Sequence, residues 1–369
     1  LTTLFTTIEM PLVGVLFSME QVGFLVDGQT LKELGARFSA DIARTEQEIY
    51  SLAGETFNIL SPKQLGAVLF EKLGLPHTKK RKTGYSTDAE TLEYLSDRHP
   101  IAERVLEYRK LTKLQSTYID GLTAARSPDG RVRTRFNQTV TATGRISSAE
   151  PNLQNIPVRT ELGREIRKAF VASEGNLLVG GDYSQIELRV LAHMADDERM
   201  CAAFCAGEDI HARTAAEVFG VPLELVTPQM RSAAKAVNFG IVYGISDFGL
   251  AKNINSTRAE AAGYIQAYLE RYPGVKRYME QVVEEAKQKG YVVTAFGRRR
   301  DLPELKSSNY NTRSFGERAA MNAPIQGTAA DIIKLAMVQL AGSLQRGGYR
   351  AKLVLQVHDE LIVDTPREE

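Results

Sequence analysis

Apolar residues recur every three to four positions over most of the first third of the chain. Glu9-Met10-Pro11 opens an apolar segment that closes at Gly23, with proline early and glycine late, as helices prefer. Leu34, Phe38, Ile42 and Ile49 mark one face of a long helix. Ser61-Pro62-Lys63-Gln64 and Thr87-Asp88-Ala89-Glu90 read as capping-box starts. A further helix is expected over residues 101–122, ahead of the turn at Pro128-Asp129-Gly130. The period then shortens to two. Arg131, Arg133 and Arg135 alternate with Val132, Thr134 and Phe136, which predicts a strand with its guanidinium groups on one side. That side is either a solvated sheet face or a surface for phosphates. Strand and helix signals mix from Val179 on. A mostly helical block follows over 196–315, with a capping box at Thr257 and Glu260 and a stop at Gly290. The last helix is expected over 328–346 and ends at Gly347-Gly348, before a strand–turn–strand pattern over 352–364.

With 369 residues, 43% hydrophobic and 25% charged, the composition is that of a globular chain long enough for two or three cores. Forty-six basic against forty-five acidic residues leave a net charge of +1, so any nucleic-acid surface has to come from local clustering. No run of about 18 apolar residues stands out, and no membrane span is expected. The start, Leu1-Thr2-Thr3-Leu4-Phe5, lacks the basic flank and cleavage site of a secretory signal. Cys201 and Cys205, the only cysteines, lie four apart on an expected helix. Two thiols do not complete a structural zinc site, so free thiols in a reducing, cytoplasmic setting are expected.

Three constellations carry candidate chemistry. In Leu177-Leu178-Val179-Gly180-Gly181-Asp182-Tyr183-Ser184-Gln185-Ile186-Glu187, an apolar strand ends in a carboxylate, and Ile186, Val190, Leu191 and Met194 continue with helical spacing. Such a carboxylate suits a magnesium ligand, although an aspartate at a strand-to-helix junction is also often just an N-cap. In Gln356-Val357-His358-Asp359-Glu360-Leu361, adjacent carboxylates sit where a hairpin bends, which turns alone also favour. Asp182 and Asp359 lie 177 residues apart, so a shared metal site for phosphoryl chemistry would be assembled by the fold. The third runs from Arg231 to Gly244, with Thr227-Pro228 as cap and first-turn proline. Arg231, Lys235 and Phe239 fall on one stripe, able to hold a triphosphate and stack a base, or simply to edge an amphipathic helix.

Taken with Thr141-Ala142-Thr143-Gly144-Arg145-Ile146-Ser147-Ser148, Pro151-Asn152-Leu153-Gln154-Asn155-Ile156-Pro157, Asp209-Ile210-His211 and Pro324-Ile325-Gln326-Gly327-Thr328, the ordered set resembles the family A DNA polymerases over essentially the whole chain. The resemblance implies an α+β, right-hand architecture: an antiparallel palm sheet with helical fingers and thumb. Its expected division is 1–23 packing on the palm, thumb 24–130, palm 131–195, fingers 196–317, and a second palm part, 318–369, that stops short of the family's usual end. It implies template-directed addition of deoxynucleotides to a primer 3′-hydroxyl with release of pyrophosphate, and no proofreading or 5′-nuclease activity in this chain. Asp182, Asp359 and the Tyr183 carbonyl would hold two Mg²⁺ ions, with Mn²⁺ as a substitute. Arg231, Lys235 and His211 would bind triphosphate oxygens, Lys235 doubling as acid for the leaving group. Phe239 and Gln185 would line the nucleotide site, and Tyr243 would sit at the template position. Glu187 would close the floor under the sugar and exclude a 2′-hydroxyl, unless it merely pairs with a cation such as Arg189. Arg145, Asn152, Gln154, Gln326 and His358 would contact DNA. The implied partners are primer–template DNA and deoxynucleoside triphosphates, with no membrane, and the chain is expected to be a monomer. Two rivals remain: a single-subunit RNA polymerase, and a catalytically silent primer–template binding fragment.

Overall fold

The computed structural model describes residues 1–77, 80–81, 84–158 and 160–369. The chain is an α+β protein that divides into two compact units. One comprises Leu1–Gln21, Phe136–Ala149 and Val179–Glu369, the other Val22–Arg135 and Glu150–Leu178.

The second unit is built on a long helix, Gly28–Ala53, and on Pro100–Leu114, which continues through Gln115–Asp120 and Gly121–Ala125. Asp27 caps the first helix by accepting from the Gln29 and Thr30 amides, and Gly54 ends it in the left-handed conformation. Ile49, Leu65, Leu69, Leu92, Ile101 and Val105 form one core beneath these helices. The helix Ala89–Ser96 starts one residue later than its capping-box reading, because Asp88 and not Thr87 accepts from the Thr91 amide. The arginine alternation does not make one strand. Arg131–Val132 pairs with Phe24–Leu25, whereas Arg135 begins a separate strand, Arg135–Asn137. Arg131 donates to the Gly23 carbonyl and Ser173, Arg133 pairs with Asp129, and Arg135 lies 3.5 Å from Glu150. Local partners thus replace the phosphate-facing row.

A three-stranded sheet has the order Lys352–Val357, Glu360–Pro366, Asn176–Asp182, and all of it from Val179 onward belongs to the first unit. Leu353 through Val357 are all buried, so this strand packs on both faces and does not alternate as its sequence suggested. The same unit carries the helices Ile186–Met194, Glu198–Cys205, Ile210–Phe219, Pro228–Val242, Asp247–Ile254, Arg258–Arg271 and Pro273–Lys289. Thr227 caps its helix, Thr257 and Glu260 form the expected reciprocal capping box, and Gly290 stops Pro273–Lys289. Cys201 and Cys205 lie on Glu198–Cys205 as free thiols.

Three expectations need correcting here. A short hairpin, Tyr291–Val293 with Arg299–Asp301, interrupts the supposed helical block. The last helix begins at Tyr310, not at 328, and runs 37 residues to Arg346 with Pro324 inside it. A mid-helix proline removes one hydrogen bond and costs roughly 3 kcal/mol. Burial of Ala319, Ala320 and Ala323 against Val292, Leu302 and Leu305 on the same helix face offsets that. Finally, Thr2–Val22 is a 21-residue helical run long and apolar enough, by length and composition, to cross a membrane. Its Leu4, Ile8, Leu12, Leu16 and Met19 are buried at helical spacing along one face, while Phe5, Met10, Val13 and Phe17 are exposed.

Candidate active site

Asp182 ends the strand Asn176–Asp182, and Asp359 lies at the tip of the neighbouring hairpin. The Tyr183 amide donates to the Asp359 carbonyl at 3.1 Å, which brings the two aspartates side by side. Partial desolvation and the adjacent Asp359 charge push the Asp182 carboxyl above the usual carboxylate range. Two like charges this close repel unless a proton or a cation lies between them, so the donor set fits a hard divalent ion. The N-cap reading of Asp182 does not hold: the residue flanking Ile186–Met194 is Gln185, in the left-handed conformation (φ 57°, ψ 38°), with no side-chain cap.

The hairpin tip is tight. Val357 pairs with Glu360, which leaves His358 and Asp359 as a two-residue turn with His358 exposed at φ 53°. Glycine usually fills such a position, and a histidine there carries local strain. The buried Gln356 side chain donates to the His358 carbonyl at 2.6 Å and holds the turn. Gly180 matters for a related reason: a Cβ there would sit 2.7 Å from Glu360 Oε1. Gly180 therefore makes room for the Glu360 side chain of the facing hairpin, whereas a Cβ on Gly181 would meet open space.

Glu187, 7% exposed, lies in the first turn of Ile186–Met194. It accepts from the Arg145 guanidinium and, at 3.1 Å, from the Tyr243 hydroxyl, beside which Gln326 also lies. Burial and the Glu187 carboxylate raise the Tyr243 phenol above its ordinary range. Glu187 does pair with a cation, but that cation is Arg145; Arg189 donates to the Ser184 carbonyl and stacks on Phe204.

The loop that carries Arg145 is clamped from both sides. Gly144, at φ 80°, lies so close to Arg298 that a Cβ would meet its side chain at 2.6 Å. Arg298 in turn pairs with Glu9 and with Asp331, which is fully buried, and Lys334 pairs with Glu9 at 2.8 Å. Thr294 donates to Asp331 at 2.8 Å and accepts the Arg298 amide at 3.0 Å, so this charged cluster also fixes the hairpin turn.

On Pro228–Val242, Lys235 Nζ stands 6.0 Å from the Phe239 ring centre, and Arg231 pairs with Asp209 at 2.8 Å. Asp209 also caps Ile210–Phe219 through the His211 and Ala212 amides. One carboxylate thus ties together the helices that carry Arg231 and His211. His211, 3% exposed, lies against Phe239 with ring centres 5.7 Å apart, and its Nδ1 is 3.1 Å from Asn238 Nδ2. Burial first, then the nearby cations of Lys235 and Arg231 against the opposing pull of Asp209, holds the imidazole pKa down at about 4. Asp182, Tyr183, Gln185, Glu187, Arg145, His211, Arg231, Lys235, Phe239, Tyr243, Gln326, His358 and Asp359 all belong to the first unit. Asn152 and Gln154 belong to the second, where Asn152 lines a cleft of about 500 Å³ with Lys110 and Lys113.

Reading the sequence did not single out Asp209, Arg298, Asp331 or Asn238 for a role. For Asn238 a signal existed: it is a polar residue on the buried face that Ala234, Val237 and Ile241 define, and such a residue needs a partner.

Residues 28–369 match the family model for DNA polymerase family A. The chain is 58% identical over 368 residues to DNA polymerase I of Geobacillus stearothermophilus and 57% to that of Bacillus subtilis (strain 168), covering 99% of this chain in each case. It spans 42% of the length of those relatives. Among solved structures it is similar to the POL domain of Pol1 from M. smegmatis, in complex with DNA primer–template and dNTP, with a TM-score of 0.93 and 46% identity over 99% of this chain and 65% of that one. The chain belongs to DNA polymerase family A.

Proposed function

We propose that this chain carries out template-directed DNA synthesis, adding deoxynucleotides to a primer 3′-hydroxyl with release of pyrophosphate. The observation that carries the reading is the Asp182–Asp359 pair at two adjacent strand ends, in the same unit as the Arg231, Lys235 and Phe239 stripe. Asp182, Asp359 and the Tyr183 carbonyl would hold two Mg²⁺ ions, or Mn²⁺ in their place. When bound, the ions supply Lewis acidity at the primer hydroxyl and counter-charge for the triphosphate.

The chain's own residues do the rest. Arg231 and His211 bind triphosphate oxygens, while Lys235 binds them and gives a proton to the departing pyrophosphate. Phe239 stacks on the incoming nucleotide with Gln185 nearby, and Tyr243 occupies the template position. Arg145 and Tyr243 hold Glu187 under the sugar, which supports its role as a barrier to a 2′-hydroxyl. Gln326, Arg145 and His358 face the duplex, and Asn152 and Gln154 are further DNA contacts in this reading. Minor-groove acceptors are alike for all base pairs, so such contacts test pair shape without reading sequence. The expected division into thumb, palm and fingers belongs to the same reading. So does a cytoplasmic monomer that performs no proofreading or 5′-nuclease step with these residues.

Asp182→Ala and Asp359→Ala are each expected to abolish incorporation while leaving duplex binding largely intact, because duplex affinity comes mainly from phosphate contacts. Near wild-type extension by either variant at saturating magnesium would remove the metal assignment.

A further inference from the structure

We infer that Asn238 fixes His211 as a neutral imidazole protonated on Nε2, so that this residue offers one hydrogen bond and no charge. That the bond goes to a triphosphate oxygen rests on the function proposed above; the protonation state does not.

The geometry is closed on one side of the ring. Asn238 is fully buried, and its Nδ2 lies 3.1 Å from His211 Nδ1 and 3.1 Å from Thr214 Oγ1. Thr214, itself 1% exposed, donates back to Asn238 Oδ1 at 3.2 Å. An amide nitrogen has only protons to offer, so the ring nitrogen facing it must supply a lone pair. A neutral ring that accepts at Nδ1 carries its proton on Nε2. Charging the ring would set an N–H against an N–H in a buried place, which is unfavourable. Among the described residues Nε2 has no hydrogen-bond partner, and it remains as the one donor of the side chain. The charged groups around the ring are Asp209, which favours an imidazolium, and Lys235 and Arg231, which oppose it.

A division of labour with the cations follows. Arg231 and Lys235 supply charge, whose attraction is long-ranged and tolerant of angle. His211 supplies one directed donor, whose direction is set by a neighbour on the helix that also carries Phe239.

The test is ¹⁵N–¹H correlation spectroscopy of ring-labelled histidine in the whole chain, with His211 among the five histidines assigned by its loss in His211→Gln. Expected is an unprotonated Nδ1 and a protonated Nε2, without titration between pH 6 and 8. A proton on Nδ1, or titration near pH 6.5, overturns the inference. Asn238→Asp presents an acceptor to Nδ1 and is expected to move the proton there and raise the His211 titration. Asn238→Leu is expected to leave the two neutral forms mixed. Circular dichroism and primer–template binding check that both variants fold. In single-turnover assays Asn238→Leu is expected to raise the nucleotide KM several-fold with little change in kcat, and to add nothing further in a His211→Ala background. If the spectra agree but His211→Ala leaves the nucleotide KM unchanged, the tautomer assignment stands and the triphosphate role falls.

Discussion

At the scale of single residues, selectivity for the sugar is the sharpest consequence. Glu187 is held by Arg145 and Tyr243 and lies five positions after Asp182, so its carboxylate has little freedom to yield to an added hydroxyl. Rejecting one extra polar atom in such a site amounts to about a hundredfold. Glu187→Ala is expected to admit ribonucleotides by about that factor, with slower normal synthesis because Arg145 and Tyr243 lose their common acceptor. Phe239→Tyr is expected to improve use of dideoxynucleotides, since an added hydroxyl stands in for the missing 3′ group, without a matching gain for ribonucleotides. Values of kcat/KM for deoxy-, ribo- and dideoxynucleotides decide both; unchanged ratios would return Glu187 and Phe239 to a packing role. The sequence made Glu187 visible as a candidate but not its partners. Arg145 stands 42 residues upstream and Tyr243 56 downstream, and no local spacing rule reaches that far.

Among elements, those defined by local chemistry were legible. The cap at Thr227, the capping box at Thr257 and Glu260, the stop at Gly290 and the bend at His358-Asp359 depend on neighbours a few residues away. Those decided by burial were not. Pro324 sits inside a helix because its surroundings hold it there, and the strands at 291–293 and 299–301 are too short to show a period. The charged cluster beneath that hairpin was hidden for the same reason, as Glu9, Arg298, Asp331 and Lys334 are ordinary charges until folding buries them together. Asp331→Ala would leave Arg298 and the Thr294 hydroxyl short of their buried partner. A loss of about 3–5 kcal/mol in stability is expected, with weaker extension as the Arg145 loop loosens. Denaturant unfolding measures it, and an unshifted midpoint would show that the cluster holds nothing in place.

For the molecule as a whole, a net charge of +1 means that no overall field draws DNA in. The proposed duplex binding would have to come from local cations, and its dependence on salt is expected to be steep all the same. If six to ten phosphates are neutralised, affinity for a primer–template is expected to fall by roughly a thousandfold or more between about 50 and 200 mM salt. A flat response in filter binding or anisotropy would contradict a duplex-holding surface. The most direct measurement of the central claim is extension of a labelled primer on four templates that differ only in the next base, each offered one deoxynucleotide at a time with magnesium. The account predicts one added nucleotide for the complementary partner alone, none when a chelator removes the metal, and little from ribonucleotides. A chain that binds the primer–template with magnesium present yet adds nothing, or adds ribonucleotides as readily, would contradict it.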